Sequence, residues 1–455
     1  MSSFLDRERS IAPPGYSRWL IPPAALAIHL SIGQVYALSV FKNPLIARFG
    51  VSDTAIAIVF SIAIVMLGLS AAFGGTWMER NGPRKAMALS AACFTTGLLL
   101  GSVGIATEQL WLLYFGYGFV GGIGLGIGYI SPVSTLIKWF PDRPGLSTGL
   151  AIMGFGGGAL IASSLSTRLL DVYGDRPQDA LAPTFATLAV LYLVFMTFGV
   201  LTIRVPREGW APEGYVPVES SAAMRTNRHV SAANAIRTKQ FWLLWVVLFC
   251  NVTAGIGIIE QAAPMIQDFF AGPGGVTVAA SAGFVGLISL FNMGGRFVWS
   301  STSDVIGRRP IYALYLGVGA IAFLLLATVG SSSVLVFVVL SMVIISFYGG
   351  GFATIPAYLK DLFGTYQVGA IHGRLLTAWS AAGIAGPLIV NVITDSRTAA
   401  GVEGAAAYRP SLLVMVVLLA IGFTANAFVR PVDPRFYEPE GDARQPALAG
   451  TSKES

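Results

Sequence analysis

The sequence predicts an all-α membrane protein of twelve transmembrane helices in two pseudo-symmetric six-helix bundles. Three observations predict it: a composition too apolar for water, twelve apolar runs of spanning length, and a one-sided distribution of basic residues. Of 455 residues, 54% are hydrophobic and 11% are charged, and mean hydropathy is +0.69. A soluble domain carries about 25% charged residues. This chain cannot coat a water-facing surface of its own size, so most side chains must meet lipid.

About 20 apolar residues cross the hydrocarbon core as a helix. Lipid offers backbone N–H and C=O groups no partners, so these runs must be helices. The runs of the first half are 19–41, 54–77, 86–107, 111–137, 144–167 and 182–204; those of the second are 241–264, 276–302, 310–330, 333–358, 370–393 and 407–430. The first begins near Trp19 and lacks a small-residue cleavage site after a short core, so it is read as a spanning helix rather than a signal peptide. The longest polar gap, 205–240, is rich in Pro, Ser and Arg and divides a bundle at 19–204 from one at 241–430. The tails, 1–18 and 431–455, are polar and expected to be mobile.

With the N-terminus in the cytoplasm, 22 of the 29 Lys and Arg fall on cytoplasmic tails and loops. Six fall outside: Lys42, Arg48, Arg168, Arg176, Arg397 and Arg409. The remaining one, Arg296, lies inside helix 8. This bias predicts both termini in the cytoplasm of a cell (inner) membrane and an even number of helices. It also accounts for the net charge of +6, and no basic domain is present to bind nucleic acid. The two cysteines, Cys93 and Cys250, lie in apolar runs and imply no disulfide framework.

The halves repeat one another. After helix 2 comes Gly75-x-x-x-Glu79-Arg80-x-Gly82-Pro-Arg84-Lys85; after helix 8 comes Ser300-x-x-x-Asp304-x-x-Gly307-Arg308-Arg309. Each has an acid at a helix end, a tight glycine turn and a basic pair. A positive-inside loop alone would explain either copy; matching positions in both halves suggest a cytoplasmic latch. In it, Glu79 and Asp304 pair with Arg80, Arg84, Arg308 and Arg309 or cap a neighbouring helix.

The loop after helix 2 resembles the signature of the major facilitator superfamily, with Glu79 for the usual aspartate and Pro83 beside the turn glycine. That resemblance implies the major facilitator fold, a central cavity and rocking alternating access. A narrower resemblance, to the oxalate/formate antiporter family with its monocarboxylate carriers, rests on an ordered set of stretches. In the first half these are Gly33-Gln-Val-Tyr36-Ala-Leu-Ser-Val-Phe41, Gly124-Leu-Gly-Ile-Gly128-Tyr129-x-x-Pro132, Lys138-Trp-Phe-Pro-Asp-Arg143 and Met153-Gly-Phe-Gly-Gly-Gly158. In the second they are Phe291-Asn292-Met-Gly-Gly-Arg296, Phe347-Tyr-Gly-Gly-Gly351 and Thr377-Ala-Trp-Ser-Ala-Ala-Gly383.

Arg296 is the most informative single residue. An arginine at membrane depth costs about 2.5–3.5 kcal/mol on insertion scales, and such residues face a bundle interior or a watery cavity. It lies eight residues before Asp304, about 12 Å along a helix. Its guanidinium can grip a carboxylate with two parallel hydrogen bonds. The competing readings are a structural Arg–carboxylate pair and a side chain snorkelling to the membrane surface. Asn292 lies one turn earlier on the same face.

The family resemblance implies that the helix-8 arginine binds substrate carboxylate, and that Tyr36, Tyr129 and Tyr348 line the cavity. Phe352, one turn after Tyr348, adds an apolar wall; Gln34 either joins the site or serves helix packing. Where the family's oxalate carrier has a lysine in helix 11, this chain has Trp379. One cation in place of two favours a monoanion such as lactate, pyruvate or formate over oxalate.

Moving an anion against a membrane potential costs about 2.3 kcal/mol per charge per 100 mV, so the carrier takes a proton along or exchanges anions. His29 and Glu260 are the candidate proton carriers. Either could instead have a local role, His29 bonding backbone and Glu260 meeting solvent. Glycines four apart, Gly124/Gly128, Gly145/Gly149 and Gly154/Gly158, permit close helix contact, either static or sliding. Gly386-Pro387 is placed to kink helix 11.

The expected function is therefore secondary transport of small organic anions, by symport or exchange, through a protein that works as a monomer in the bilayer. The alternatives are an oxalate/formate-type dicarboxylate exchanger, an exporter of another solute class, and a membrane sensor, for which the linker and tails are short. An enzyme is not expected, and neither is a cofactor or metal. The chain has no His-x-x-Glu-His motif and no phosphate-cradling Gly-x-x-x-x-Gly-Lys-Ser/Thr loop, and its three histidines are scattered.

Overall fold

The computed structural model describes residues 4–216, 224–272 and 274–439. Helices dominate them, and the described residues hold no strand beyond one isolated parallel bridge between Ile11 and Val205. The first six long helices are α1 (Arg18–Ala37), α2 (Asp53–Asn81), α3 (Pro83–Ala106), α4 (Leu110–Trp139), α5 (Pro144–Tyr173) and α6 (Pro177–Thr202). The second six are α7 (Lys239–Phe269), α8 (Val278–Ile306), α9 (Arg308–Val329), α10 (Val334–Phe363), α11 (Val368–Ala399) and α12 (Ala405–Phe428). Eleven spans among the described residues meet length and hydropathy criteria for crossing a membrane. The twelfth long helix, α8, has 29 residues and contains Asn292, Arg296 and Asp304.

Apolar side chains point outward where no protein covers them. Val190, Leu193, Val194, Phe195 and Phe198 of α6 are exposed, as are Val417, Ile421 and Phe428 of α12. In water these faces would drive aggregation; in lipid they are the solvent-matched surface. On α10, by contrast, Ile344 through Leu359 are all buried, which places that helix inside.

The repeat seen in the sequence is a repeat in backbone geometry. Gly82 joins α2 to α3 with φ 88° and ψ 161°, and Gly307 joins α8 to α9 with φ 96° and ψ 158°. Only glycine enters that region without strain. Each α-helix therefore ends and the next begins across a single residue, and the preceding acid stays in the last helical turns.

Several boundaries differ from those the sequence suggests. Helices α2 and α8 run on to Asn81 and Ile306, past the expected ends at 77 and 302, and carry Glu79 and Asp304 in their last turns. Beyond α1 the chain continues helically through Ser39–Phe49, taking in Lys42 and Arg48. In α4, Tyr114–Gly121 form a π-helical segment. There Gly116 and Gly121 abut Gly97 of α3 so closely that a Cβ on Gly97 would lie 2.7 Å from backbone atoms of both.

The described part of the N-terminal tail is docked, contrary to the expectation of mobility. Ala12 N–H donates to Val205 O at 2.9 Å, and Val205 N–H donates to Ser10 O at 2.9 Å. Of the C-terminal tail, 431–439 lies within the described residues and 440–455 outside them. Glu438 binds the linker, accepting from Ser231 N–H and Asn234 Nδ2, both at 3.0 Å.

Candidate functional site

Arg296 of α8 is fully buried, which removes the snorkelling alternative. Its Nε donates to Asn292 Oδ1 at 3.1 Å, as the i, i+4 spacing on one helix face allows. Nη1 donates to Ile152 O of α5 at 3.4 Å, and Nη2 has no hydrogen-bond partner. No carboxylate pairs with Arg296 among the described residues, so the structural ion-pair alternative is not what the fold contains.

Aromatic rings from both halves enclose this guanidinium. Its carbon lies 5.4 Å from the Phe352 ring centroid and 6.0 Å from that of Phe155, within cation–π reach. Trp379 of α11 is the hub: its ring is 4.5 Å from Phe352, 5.4 Å from Tyr129, 5.7 Å from Phe155 and 6.4 Å from Tyr36. Tyr348 stacks edge-on against Phe352 at 5.2 Å. The structure brings Tyr36, Tyr129, Tyr348, Phe352 and Trp379, all expected from the sequence, into one cluster, together with Phe155, which the sequence had not suggested. Its signal was available, since it stands inside the glycine-rich stretch of α5.

The polar atoms of this cluster are largely unspent. The hydroxyls of Tyr36, Tyr129 and Tyr348 and the indole Nε1 of Trp379 have no partner in hydrogen-bond geometry. A buried polar group without a partner costs about 1–3 kcal/mol. Several around one arginine make a site adapted to a ligand with acceptor atoms.

Other expected participants have partners of their own. Gln34 Oε1 accepts from Tyr117 OH at 3.0 Å within the first half, and its Nε2 has no partner. His29 is fully buried, with Nδ1 2.7 Å from Ala151 O and Nε2 3.1 Å from Tyr129 O. The single N–H of a neutral ring donates to one of these two carbonyls, tying α1 to α5 or to α4. Glu260 is exposed on α7, its Oε1 3.4 Å from Asn391 Nδ2. Neither His29 nor Glu260 contacts the Arg296 guanidinium through a hydrogen bond.

At one end of the molecule the two halves are latched. Asp304 of α8 accepts from the backbone N–H of Gly145 and of Leu146, both at 2.8 Å, at the start of α5. Glu79 of α2 accepts from the backbone N–H of Gly369, at the start of α11, at 3.0 Å. It also accepts from Ser134 at 2.8 Å and Lys138 at 2.5 Å. Each acid thus caps a helix of the opposite half, where unsatisfied N–H groups and the helix dipole favour negative charge.

The basic residues of the repeated loops have other partners. Arg308 supports Asp304 at 2.6 Å and pairs with buried Asp361 at 2.9 Å, within the second half. Arg309 donates to Ala427 O at the end of α12. Arg84 donates to Phe4 O, Arg9 O and Ile203 O at 2.8, 3.1 and 3.2 Å, anchoring the N-terminal tail. Arg80 is exposed. The latch across the halves is therefore made by the two acids and helix N-termini, not by the arginines.

Further bonds cross the seam between the halves. Thr148 Oγ1 donates to Ala353 O at 2.7 Å, Lys360 Nζ to Pro141 O at 3.3 Å and Ser380 Oγ to Ile64 O at 3.1 Å. Towards the opposite end of α8, Gly283 and Gly286 face open space. The latch end is shut.

One motif match was missed in reading the sequence. Gly145-x-Ser147-x-Gly149 has the spacing of a hydrolase nucleophile elbow. It occupies the first turns of α5, where Ser147 Oγ donates to Pro144 O at 2.9 Å. No strand leads into it, and its glycines serve helix packing.

Comparison with known proteins agrees with this architecture. The chain is 24% identical over 416 residues to the oxalate:formate antiporter of Oxalobacter formigenes, covering 91% of this chain and 92% of that protein. It is 24% identical over 391 residues to apicoplast pyruvate carrier 1 of Toxoplasma gondii, covering 74% and 69% respectively. A solved structure of the transporter FucP in the outward conformation superposes with a TM-score of 0.67 at 16% identity, over 90% of this chain and 99% of that one. The model of the Major Facilitator Superfamily matches residues 24–387 and, in a second stretch, 279–453; the chain belongs to that superfamily and is a membrane transporter.

Proposed function

We propose that this transporter carries small monocarboxylates, of the size of lactate, pyruvate or formate, with Arg296 as the counter-charge. The observation that carries the reading is a fully buried guanidinium with a free Nη2 and no carboxylate partner, ringed by unspent tyrosine and indole donors. An unpaired buried charge is costly, and a ligand carboxylate would satisfy it. The relatives named above, an oxalate:formate antiporter and a pyruvate carrier, support the substrate class. Trp379 supplies a ring at the position where a second cation would suit a dianion, and this favours monoanions.

The Glu79–Asp304 end faces the cytoplasm in this reading, since the basic loops cluster there, and the protein lies in the cell membrane with both termini inside. The latched geometry then corresponds to an outward-facing or occluded state. Opening would break both acid caps and part the halves around the bound anion.

Exchange is favoured over proton symport by the same observation. An empty site leaves Arg296 uncompensated, which raises the barrier to reorientation without cargo, so one anion returns for each that crosses. His29 and Glu260 are the proton carriers if symport operates instead.

The test is uptake of labelled lactate, pyruvate, formate and oxalate into proteoliposomes, with and without internal anion and with and without a pH gradient. Arg296→Ala is expected to abolish carboxylate uptake, and internal anion to accelerate it in the unsubstituted protein. Carboxylate uptake that survives Arg296→Ala intact removes the substrate reading. Uptake driven by a pH gradient into anion-free vesicles, and lost in His29→Gln or Glu260→Gln, replaces exchange with symport.

A further inference from the structure

His372 lies on the second turn of α11, between the latch and the aromatic site. It is 1% exposed, and neither ring nitrogen has a hydrogen-bond partner. Trp379 follows seven residues later, two turns or about 10 Å further along the helix. The two are linked through one ring of the opposite half: Tyr129 lies 5.8 Å from His372 and 5.4 Å from Trp379. The flanking glycines press this face of α11 onto the first half. A Cβ on Gly369 would meet Met78, Glu79 and Ser134, and one on Gly373 would meet the backbone of Ala71.

His372 is therefore sealed in the seam that must open for the latch end to open. A seam serving only as a seal would be better filled by an apolar side chain, because an unpartnered buried imidazole is penalised twice, at donor and acceptor. His29, whose ring lies 5.4 Å from that of Tyr129, has backbone carbonyls at both nitrogens. That contrast separates a structural histidine from one whose partners are missing in this state.

We propose that His372 is a second station for the anion, a hydrogen-bond donor that receives the carboxylate from Arg296 as the latch end opens. This rests on the carboxylate reading above. Separation of α11 from α2 and α4 uncovers the imidazole just as Arg296 and Tyr129 move apart. The neutral ring suffices, since one nitrogen carries a proton that a carboxylate oxygen can accept. The station is used from the latch side only, because from the opposite side Trp379 and Tyr129 stand between it and the entrance.

The experiment measures the KM for L-lactate separately from each face, in vesicles of known orientation, for the unsubstituted protein, His372→Leu and His372→Gln. Loss of a hydrogen bond to a charged acceptor corresponds to a change of about tenfold or more. His372→Leu is expected to raise the latch-side KM by about that factor and to leave the opposite-side KM within about twofold. His372→Gln, which keeps a donor, is expected to restore most of the difference. Lactate-dependent quenching of Trp379 fluorescence from the opposite face checks that both variants are folded. An unchanged KM on both faces, an equal change on both, or a glutamine variant as impaired as leucine overturns the proposal while leaving the Arg296 reading intact. Absence of carboxylate transport by the unsubstituted protein overturns both.

Discussion

The carboxylate of Asp304 sits 2.8 Å from the backbone nitrogen of Gly145, joining the end of α8 to the first turn of α5 in the opposite half. Its pseudo-symmetric counterpart is Glu79, 3.0 Å from the backbone nitrogen of Gly369 at the start of α11. Both are charge-assisted caps, and hydrogen bonds to charged groups contribute about 1.5–3 kcal/mol. Asp304→Asn and Glu79→Gln should each weaken the latched state by that order, a shift of about ten- to a hundredfold in the latched–open equilibrium. Maleimide labelling of a cysteine placed at Ser134 should accelerate in both variants. Unchanged labelling would mean that the caps do not hold the halves together.

The glycines of α5 divide by partner, and the division predicts two kinds of defect. A Cβ on Gly145 would lie 2.8 Å from Asp304 Oδ1 and strike the Ser300 carbonyl, across the seam. A Cβ on Gly154 would meet Leu26 and His29, within the first half. Gly145→Ala should therefore favour the open latch, with faster labelling and little loss of thermal stability. Gly154→Ala should lower the melting temperature by an amount corresponding to about 1–3 kcal/mol of overpacking, with labelling unchanged. Identical behaviour of the two would contradict a seam at α5–α8.

Much of the fold was legible because its determinants are local. Apolar runs, Gly82 and Gly307 in single-residue turns, and the bias of Lys and Arg all act through nearest neighbours or through lipid. The candidate site was legible in part, through Arg296 and the aromatic residues, because a charge in an apolar run needs a reason. Partners were not legible. Nothing in the loop sequence distinguishes Arg84, bound to carbonyls of Phe4 and Arg9, from Arg308, which pairs with Asp304 and Asp361. Asp361 and His372 went unused, and Lys138 served only as part of a family stretch, for the same reason: their significance depends on which helices the fold brings alongside.

Arg84 provides a stability prediction distinct from the latch. It is 1% exposed and donates to three carbonyls, two of them in the N-terminal tail. Arg84→Ala leaves those acceptors short of a charged donor, at a cost of about 1.5–3 kcal/mol. Proteolysis within residues 4–16 should quicken, while lactate KM stays unchanged. A shift in KM without tail release would place Arg84 in the transport cycle instead.

The linker should respond to acid. Burial holds the pKa of His229 below its ordinary 6.5. Its ring faces Tyr366 at 6.4 Å, its carbonyl accepts from Glu438 N–H at 2.8 Å, and Val230 N–H donates to Phe363 O at 2.9 Å. The docked linker therefore favours neutral imidazole, and the undocked chain does not. Docking is at full strength above pH 6.5 and weakens as pH falls below it, because the undocked form takes up the proton first. Tryptic cleavage after Arg225 and Arg228 should rise between about pH 7.5 and pH 5.5 after correction for protease activity. His229→Gln should flatten that dependence.

Trp379 sets the final prediction, on selectivity. Its ring touches Tyr129, Phe155 and Phe352 at 5.4, 5.7 and 4.5 Å, closing the site beside Arg296. Trp379→Leu keeps an apolar side chain but removes most of that wall. Bulkier monoanions such as phenylpyruvate should then compete with lactate several-fold better, and thermal stability should drop, since truncating a buried tryptophan to alanine costs about 3–5 kcal/mol. Trp379→Lys puts a second cation near the first and should admit oxalate, because each carboxylate then has its own counter-charge. Competition assays read both effects. If leucine fails to widen the size limit and lysine fails to admit a dianion, Trp379 is packing alone, and the preference for monoanions must be set elsewhere around the guanidinium.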